Sequence, residues 1–126
     1  MSGLSKIIFL SGILIVLDRV TKQLSIIYSV EFINYNFLNP YLAFFIFLLF
    51  SLVMFFVSKR HFFERWFVSG FSLIAIGFFS NLYDKVVYNG VIDYLYLPFG
   101  VVFNLSDVYI ILGFFGIIRG LTKHGI

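Results

Sequence analysis

Residues 77–107 read GFFSNLYDKVVYNGVIDYLYLPFGVVFNLSD. They hold Asp84, Asp93 and Asp107, half of the six acidic residues in a chain of 126, together with Asn81, Asn89 and Asn104. Apolar runs flank the stretch on both sides, which sets these carboxylates at or inside a membrane boundary. Ionisable groups there are costly and mark function. A single acid would be read as half of an ion pair or as a helix-start residue. Three of them interleaved with amides predict a site.

The remaining composition agrees with a membrane setting. Mean hydropathy is +1.03, and only 12% of residues are charged while 22% are aromatic. A soluble domain carries roughly a quarter charged residues. One domain over residues 1–126 is expected, all-α and facing lipid, with a small β/loop region outside the membrane. The net charge of +3 comes from basic residues scattered singly. Nucleic acid is therefore not an expected partner, and the basic residues are better read as setting orientation. The absence of cysteine excludes a disulfide framework, a thiolate nucleophile and a lipid on the chain itself. His61 and His124 lie in basic segments away from the acids, so neither a metal site nor a cofactor is expected.

Outward from residues 77–107, the chain divides into four candidate spans, at about 7–28, 41–57, 66–83 and 101–118. The first follows Lys6 and resembles the apolar region of a signal peptide, but no small-residue cleavage site follows it. Within it Asp18 and Lys22 stand four apart with the acid first, the favourable order for a helical pair. Residues 29–40, SVEFINYNFLNP, are β-prone and end in Asn-Pro, which predicts an extended segment and a turn. The second span is uncharged, and a basic connector with Lys59, Arg60 and Arg65 leads to the third. That third span runs directly into Asp84 and Lys85. Residues 86–103 hold Asn-Gly and Pro98 among β-branched and aromatic residues, the pattern of a loop with extended pieces.

Lys6, Lys59, Arg60, Arg65, Arg119 and Lys123 fall on one side of these spans; Arg19, Lys22 and Lys85 fall on the other. The richer side is expected to be cytoplasmic, with both termini on it. Asp18 follows Lys6, and Asp107 precedes Arg119, by twelve residues each, or ~18 Å of helix at ~1.5 Å per residue. A hydrocarbon core is ~30 Å thick, so both acids are expected below the outer surface. The same arithmetic puts Asp84 nearer the outer interface. Asp107 is also a first-turn acid, with Asn104 or Ser106 as the cap. Two carboxyl groups close together in a poorly solvated place cannot easily both ionise, which suits water-mediated peptide hydrolysis. Asp93 and Asp107 are candidates for such a pair, although spacing alone does not bring them together.

VIDY at 91–94 and FNLSD at 103–107 resemble the two aspartate-bearing motifs of bacterial signal peptidase II. Asp18-Arg19-Val20-Thr21-Lys22 is similar to that family's D-x-x-T-K element, NPYLAF at 39–44 to its N-x-G-x-A-F element, and GFFSNLYDK at 77–85 to its G-x-x-G-N-x-x-D-R element. The resemblance implies a four-helix membrane aspartyl endopeptidase, with Asp93 and Asp107 as its catalytic dyad. Asp18, Lys22, Asn39, Asn81, Asp84 and Asn104 become substrate-binding or supporting residues. It implies no metal, a monomer in the bacterial cytoplasmic (inner) membrane, and an active site on the extracytoplasmic side. Its substrates would be diacylglyceryl-modified prolipoproteins, cut just before the lipidated cysteine. Tyr41 and Ser80 replace family glycines, and Lys85 stands where arginine is usual. Lysine lacks arginine's bidentate fork, which predicts thinner support around Asp84. Two other readings stay open, a catalytically weakened lipoprotein-binding relative and a small transporter or proton-relay subunit.

Overall fold

The computed structural model describes residues 2–28, 32–34, 39–59 and 64–123. Four helices account for most of it: α1 (Gly3–Ile27), α2 (Pro40–Val57), α3 (Arg65–Tyr88) and α4 (Leu105–Thr122). Strand β1 (Phe32–Asn34) lies between α1 and α2, and β2 (Val91–Asp93), β3 (Leu95–Tyr96) and β4 (Val102–Phe103) lie between α3 and α4. By length and composition α2, α3 and α4 can cross a membrane. Helix α1 is 25 residues long but carries Lys6, Asp18, Arg19 and Lys22.

The helix ends differ from the expected spans for local reasons. Helix α3 does not stop at residue 83; it continues through Asp84 and Lys85 to Tyr88. Asp84 is fully buried against two cations, so its charge does not require the chain to leave the helix there. The helix ends at Asn89, whose φ of 59° is left-handed, a conformation asparagine tolerates. Helix α4 begins at Leu105, where Asn104 forms a capping box with Asp107. In α2, Asn39 is the N-cap and Pro40 opens the first turn, a position that needs no N–H.

Helices α3 and α4 are brought together by glycine. A Cβ added at Gly70 would lie 2.5 Å from the Gly113 carbonyl oxygen and 2.6 Å from the Ile117 nitrogen. One added at Gly116 would lie 2.9 Å from Gly70 Cα. Any side chain at these points would force the backbones apart, and close backbone approach is how helices associate where water does not drive them together. Helix α2 packs by aromatic contact instead. Phe47 stacks on Phe78 at 4.4 Å, and Phe50 meets Phe114 edge-on at 5.6 Å. Phe47, Phe67, Ile74 and Ile117 form the buried apolar cluster between these helices.

Two antiparallel ribbons complete the fold. Strand β1 pairs with β2, Phe32 opposite Asp93, and β3 pairs with β4, Leu95 opposite Phe103. The extended segment expected within 29–40 is thus seen at Phe32–Asn34; residues 29–31 and 35–38, like Arg60, His61 and His124, lie outside the described residues. Between β3 and β4 the chain turns through Gly100, at φ 79°, and leaves Phe99 92% exposed.

Candidate active site

Helix α1 is built inside out. Its buried residues are Asp18, Lys22 and Ser25, whereas Ile8, Val16 and Leu24 are exposed. The buried polar face meets α3 and α4 near the β ribbons, and the candidate residues assemble there.

Asp84 of α3 accepts from Arg19 Nη2 at 2.8 Å and faces Lys22 Nζ at 2.7 Å. Asp18 faces Lys22 at 3.3 Å and Arg19 at 3.4 Å. It also accepts from Ser106 Oγ at 2.6 Å, and from Ser80 Oγ. Two cations and two carboxylates therefore form one closed set with no net charge. Closure is essential, because an unmatched charge buried this deeply would cost several kcal/mol. The i,i+4 pairing of Asp18 and Lys22 is present, but Lys22 makes its shorter contact with Asp84, across the helix interface.

Asp93 and Asp107 are held differently. Asp107, half-buried in the first turn of α4, accepts from Asn81 Nδ2 and from the backbone N–H of Asn104, both at 3.1 Å. Asp93, 2% exposed at the end of β2, accepts from Asn104 Nδ2 at 2.9 Å. Asn104 is fully buried and lies between the two, its Oδ1 accepting from the Asp107 N–H at 3.0 Å and its Nδ2 also reaching the Ile92 carbonyl at 3.1 Å. Asn81 joins the two sets, since its Oδ1 accepts from Lys22 Nζ and from Asn104 Nδ2, both at 3.1 Å. Asp18, Lys22, Asn81, Asp84, Asp93, Asn104 and Asp107 thus form one connected network drawn from α1, α3, β2 and α4. Asn39 stands apart: it is exposed, and its side chain accepts from the Tyr41 N–H at 2.9 Å.

Three contributors were not among the sequence candidates. Arg19 donates through one nitrogen, Nη2, to Asp84 at 2.8 Å and to Ser80 Oγ at 2.6 Å. Asp84 is consequently well supported, contrary to the expectation drawn from Lys85. Ser80 carries a hydroxyl that Asp18, Arg19 and Lys22 all use. Tyr94 donates to Thr21 Oγ1 at 2.7 Å and accepts from the Leu105 N–H at 3.3 Å, tying the loop to α1 and α4. Burial pushes the Tyr94 phenol above its ordinary value, so it remains a donor at neutral pH. Spacing gave a partial signal for Arg19, one residue from Asp18, and none for Ser80. Among the described residues no group of three or more His, Cys, Asp or Glu is arranged to hold a metal ion.

The family model for Signal peptidase (SPase) II matches residues 31–122. The "Lipoprotein signal peptidase" of Pelagibacter ubique (strain HTCC1062) is 39% identical over 70 residues, which is 52% of this chain and 40% of that protein. The match therefore spans two-fifths of that relative's length. Two solved bacterial membrane enzyme structures, determined by the in meso method, have similar folds. One, at 2.3 Å resolution, gives a TM-score of 0.71 at 23% identity over 94% of this chain and 88% of its own. The other, at 1.9 Å resolution, gives 0.69 at 24% identity over 94% of each chain. With the family model spanning residues 31–122, and so the second, third and fourth helices, both ribbons and the network residues from Asn81 to Asp107, the chain belongs to the signal peptidase II family.

Proposed function

We propose that the chain is a membrane-embedded aspartyl endopeptidase that removes signal peptides from diacylglyceryl-modified prolipoproteins, cutting just before the lipidated cysteine. The observation that carries this reading is Asn104, which donates to Asp93 through its side chain and to Asp107 through its backbone. Two carboxyl groups on separate elements are thereby held around one amide. A water between them loses a proton to the ionised carboxylate as it attacks the scissile carbonyl carbon. The protonated partner donates to the carbonyl oxygen as it gains charge. When the C–N bond breaks, the carboxyl that took the proton gives one to the leaving amine, and the former carbonyl oxygen returns its proton to the partner carboxylate. Asp18 and Asp84, each faced by both Arg19 and Lys22, serve as fixed support rather than as proton carriers.

A lipidated substrate is supported by the setting. An apolar cleft of about 370 Å³ between α1 and α3, lined by Ile15, Phe79 and Tyr83, reaches Arg19 and Ser80 at the edge of the network. The length of α1 and its outward apolar face support a fourth crossing, and the basic residues support cytoplasmic termini with the network on the extracytoplasmic side. The protein then lies in the bacterial inner membrane and works as a monomer, without a metal or cofactor. Reporter fusions at the C-terminus and near Asn89 test the topology; a C-terminus found outside refutes it.

Purified protein incubated with a diacylated prolipoprotein should release a product whose new N-terminus is the lipidated cysteine, identified by mass. Folded Asp93→Asn protein should bind this substrate and leave it intact. Cleavage at another bond, or near-normal cleavage by Asp93→Asn, overturns the proposal.

A further inference from the structure

At the end of the molecule opposite the network, α1 and α3 part to leave a cleft of about 710 Å³. Leu4, Ile7 and Leu10 of α1 and Val68 of α3 give it apolar walls, and its charged lining residues are Lys6 and Arg65. Both of these are exposed, and among the described residues neither takes part in an ion pair. The acid next in the chain is already engaged: Glu64 Oε2 accepts from the Trp66 and Phe67 N–H groups, and Oε1 faces Lys123 at 3.8 Å. A second cleft of about 390 Å³, lined by Arg65, Trp66 and Ser69, adjoins the first through Arg65 and Ser69. Lys6 precedes Asp18 by twelve residues, ~18 Å of helix, so this feature is remote from the proposed chemistry.

Two cations above an apolar crevice call for an occupant with an anionic head and a hydrocarbon tail. We infer that this cleft binds an anionic phospholipid, with the phosphate against Lys6 and Arg65 and the upper part of an acyl chain between α1 and α3. Complementary charge selects the anionic head over a zwitterionic one, because a basic residue close to an anionic lipid surface contributes measurably to attraction. The tail requirement distinguishes a lipid from free phosphate. The site would anchor this end of α1, the helix that carries Asp18 and Lys22, against α3.

Trp66 is the single tryptophan of the chain and lines the adjoining cleft, so it can report the occupant without a label. The protein is reconstituted in bilayers containing phosphatidylglycerol or phosphatidylcholine brominated near the head-group end of the acyl chains. Trp66 quenching is then compared at equal mole fraction. Phosphatidylglycerol should quench more strongly, with a relative binding constant that falls roughly five-fold in each of Lys6→Gln and Arg65→Gln. Lys59→Gln removes a cation that does not line the cleft and should leave the preference unchanged. Added inorganic phosphate should not relieve the quenching. Equal quenching by the two lipids overturns the inference, as does a preference that survives both substitutions. An equal loss with Lys59→Gln points to diffuse surface charge and also overturns it. None of these readouts depends on proteolysis, so the lipid site and the peptidase reading fail separately.

Discussion

Where α3 meets α4, Gly70 and Gly113 set backbone against backbone, and Ile74 and Ile117 fill the space beside them. Where α1 meets the same two helices, the residues it buries are Asp18, Lys22 and Ser25. The first contact needs close shape and no charge. The second needs every charge matched, because a bilayer offers no water to a mismatched one. Apolar packing and the polar network are thereby assigned to different parts of one small bundle. The glycine seam fixes how α3 and α4 lie, and so where Asn81 and Asp107 meet; the charged joint brings α1 in beneath them. Even within the polar joint there is a division. Asp18 and Asp84 are faced by cations, whereas Asp93 and Asp107 accept from amide N–H groups.

The contrast breaks most severely at Lys22, which is 1% exposed and faces both Asp18 and Asp84. Lys22→Met leaves Arg19 alone against two buried carboxylates and should cost about 3–5 kcal/mol. Thermal unfolding in detergent would show this as a large fall in midpoint, and a midpoint within a degree or two of the parent would argue against a closed charge set. The seam comes next. Gly113→Leu must displace the Gly70 carbonyl and Ile74, contacts that a Cβ alone would make at 2.5 and 2.6 Å. It should cost about 3 kcal/mol, the upper range for overpacking. A variant that unfolds like the parent would show that the helices are not as close as described. The smallest effect expected is at Ser80. Ser80→Ala removes a hydroxyl shared by Asp18, Arg19 and Lys22 and should cost about 2 kcal/mol, the scale of hydrogen bonds to charged groups. The same measurement checks it, and no change would mean that water replaces the hydroxyl freely.

Much of this was legible in the chain. Apolar runs broken by Asp84, Asp93 and Asp107 pointed to helices around a polar site, and Asp107 read as a first-turn acid with Asn104 or Ser106 as its cap; the structure assigns the cap to Asn104. The β-branched and aromatic residues between Asn89 and Phe103 did form short strands. Other features could not be read. Ser80 stood out only as a departure from a family glycine, because a serine in an apolar helix shows its use only once a partner on another helix is known. Arg19 was visible beside Asp18, but its reach to Asp84 depends on how α1 lies against α3. Gly70 and Gly113 are 43 positions apart, and their contact is a property of the packed pair. The end of α3 was misplaced because Asp84 reads as a boundary charge until the two cations that bury it are seen.

The division among the carboxylates is tested most directly by single-turnover cleavage of a diacylated prolipoprotein, comparing folded Asp107→Asn with folded Asp84→Asn. Asp107→Asn should lose orders of magnitude in rate, since an amide neither takes a proton from water nor supplies one to the carbonyl. Asp84→Asn should retain measurable cleavage, because it disturbs the support and leaves the pair around Asn104 in place. Near-normal cleavage by Asp107→Asn, with Asp84→Asn inactive, would contradict the account.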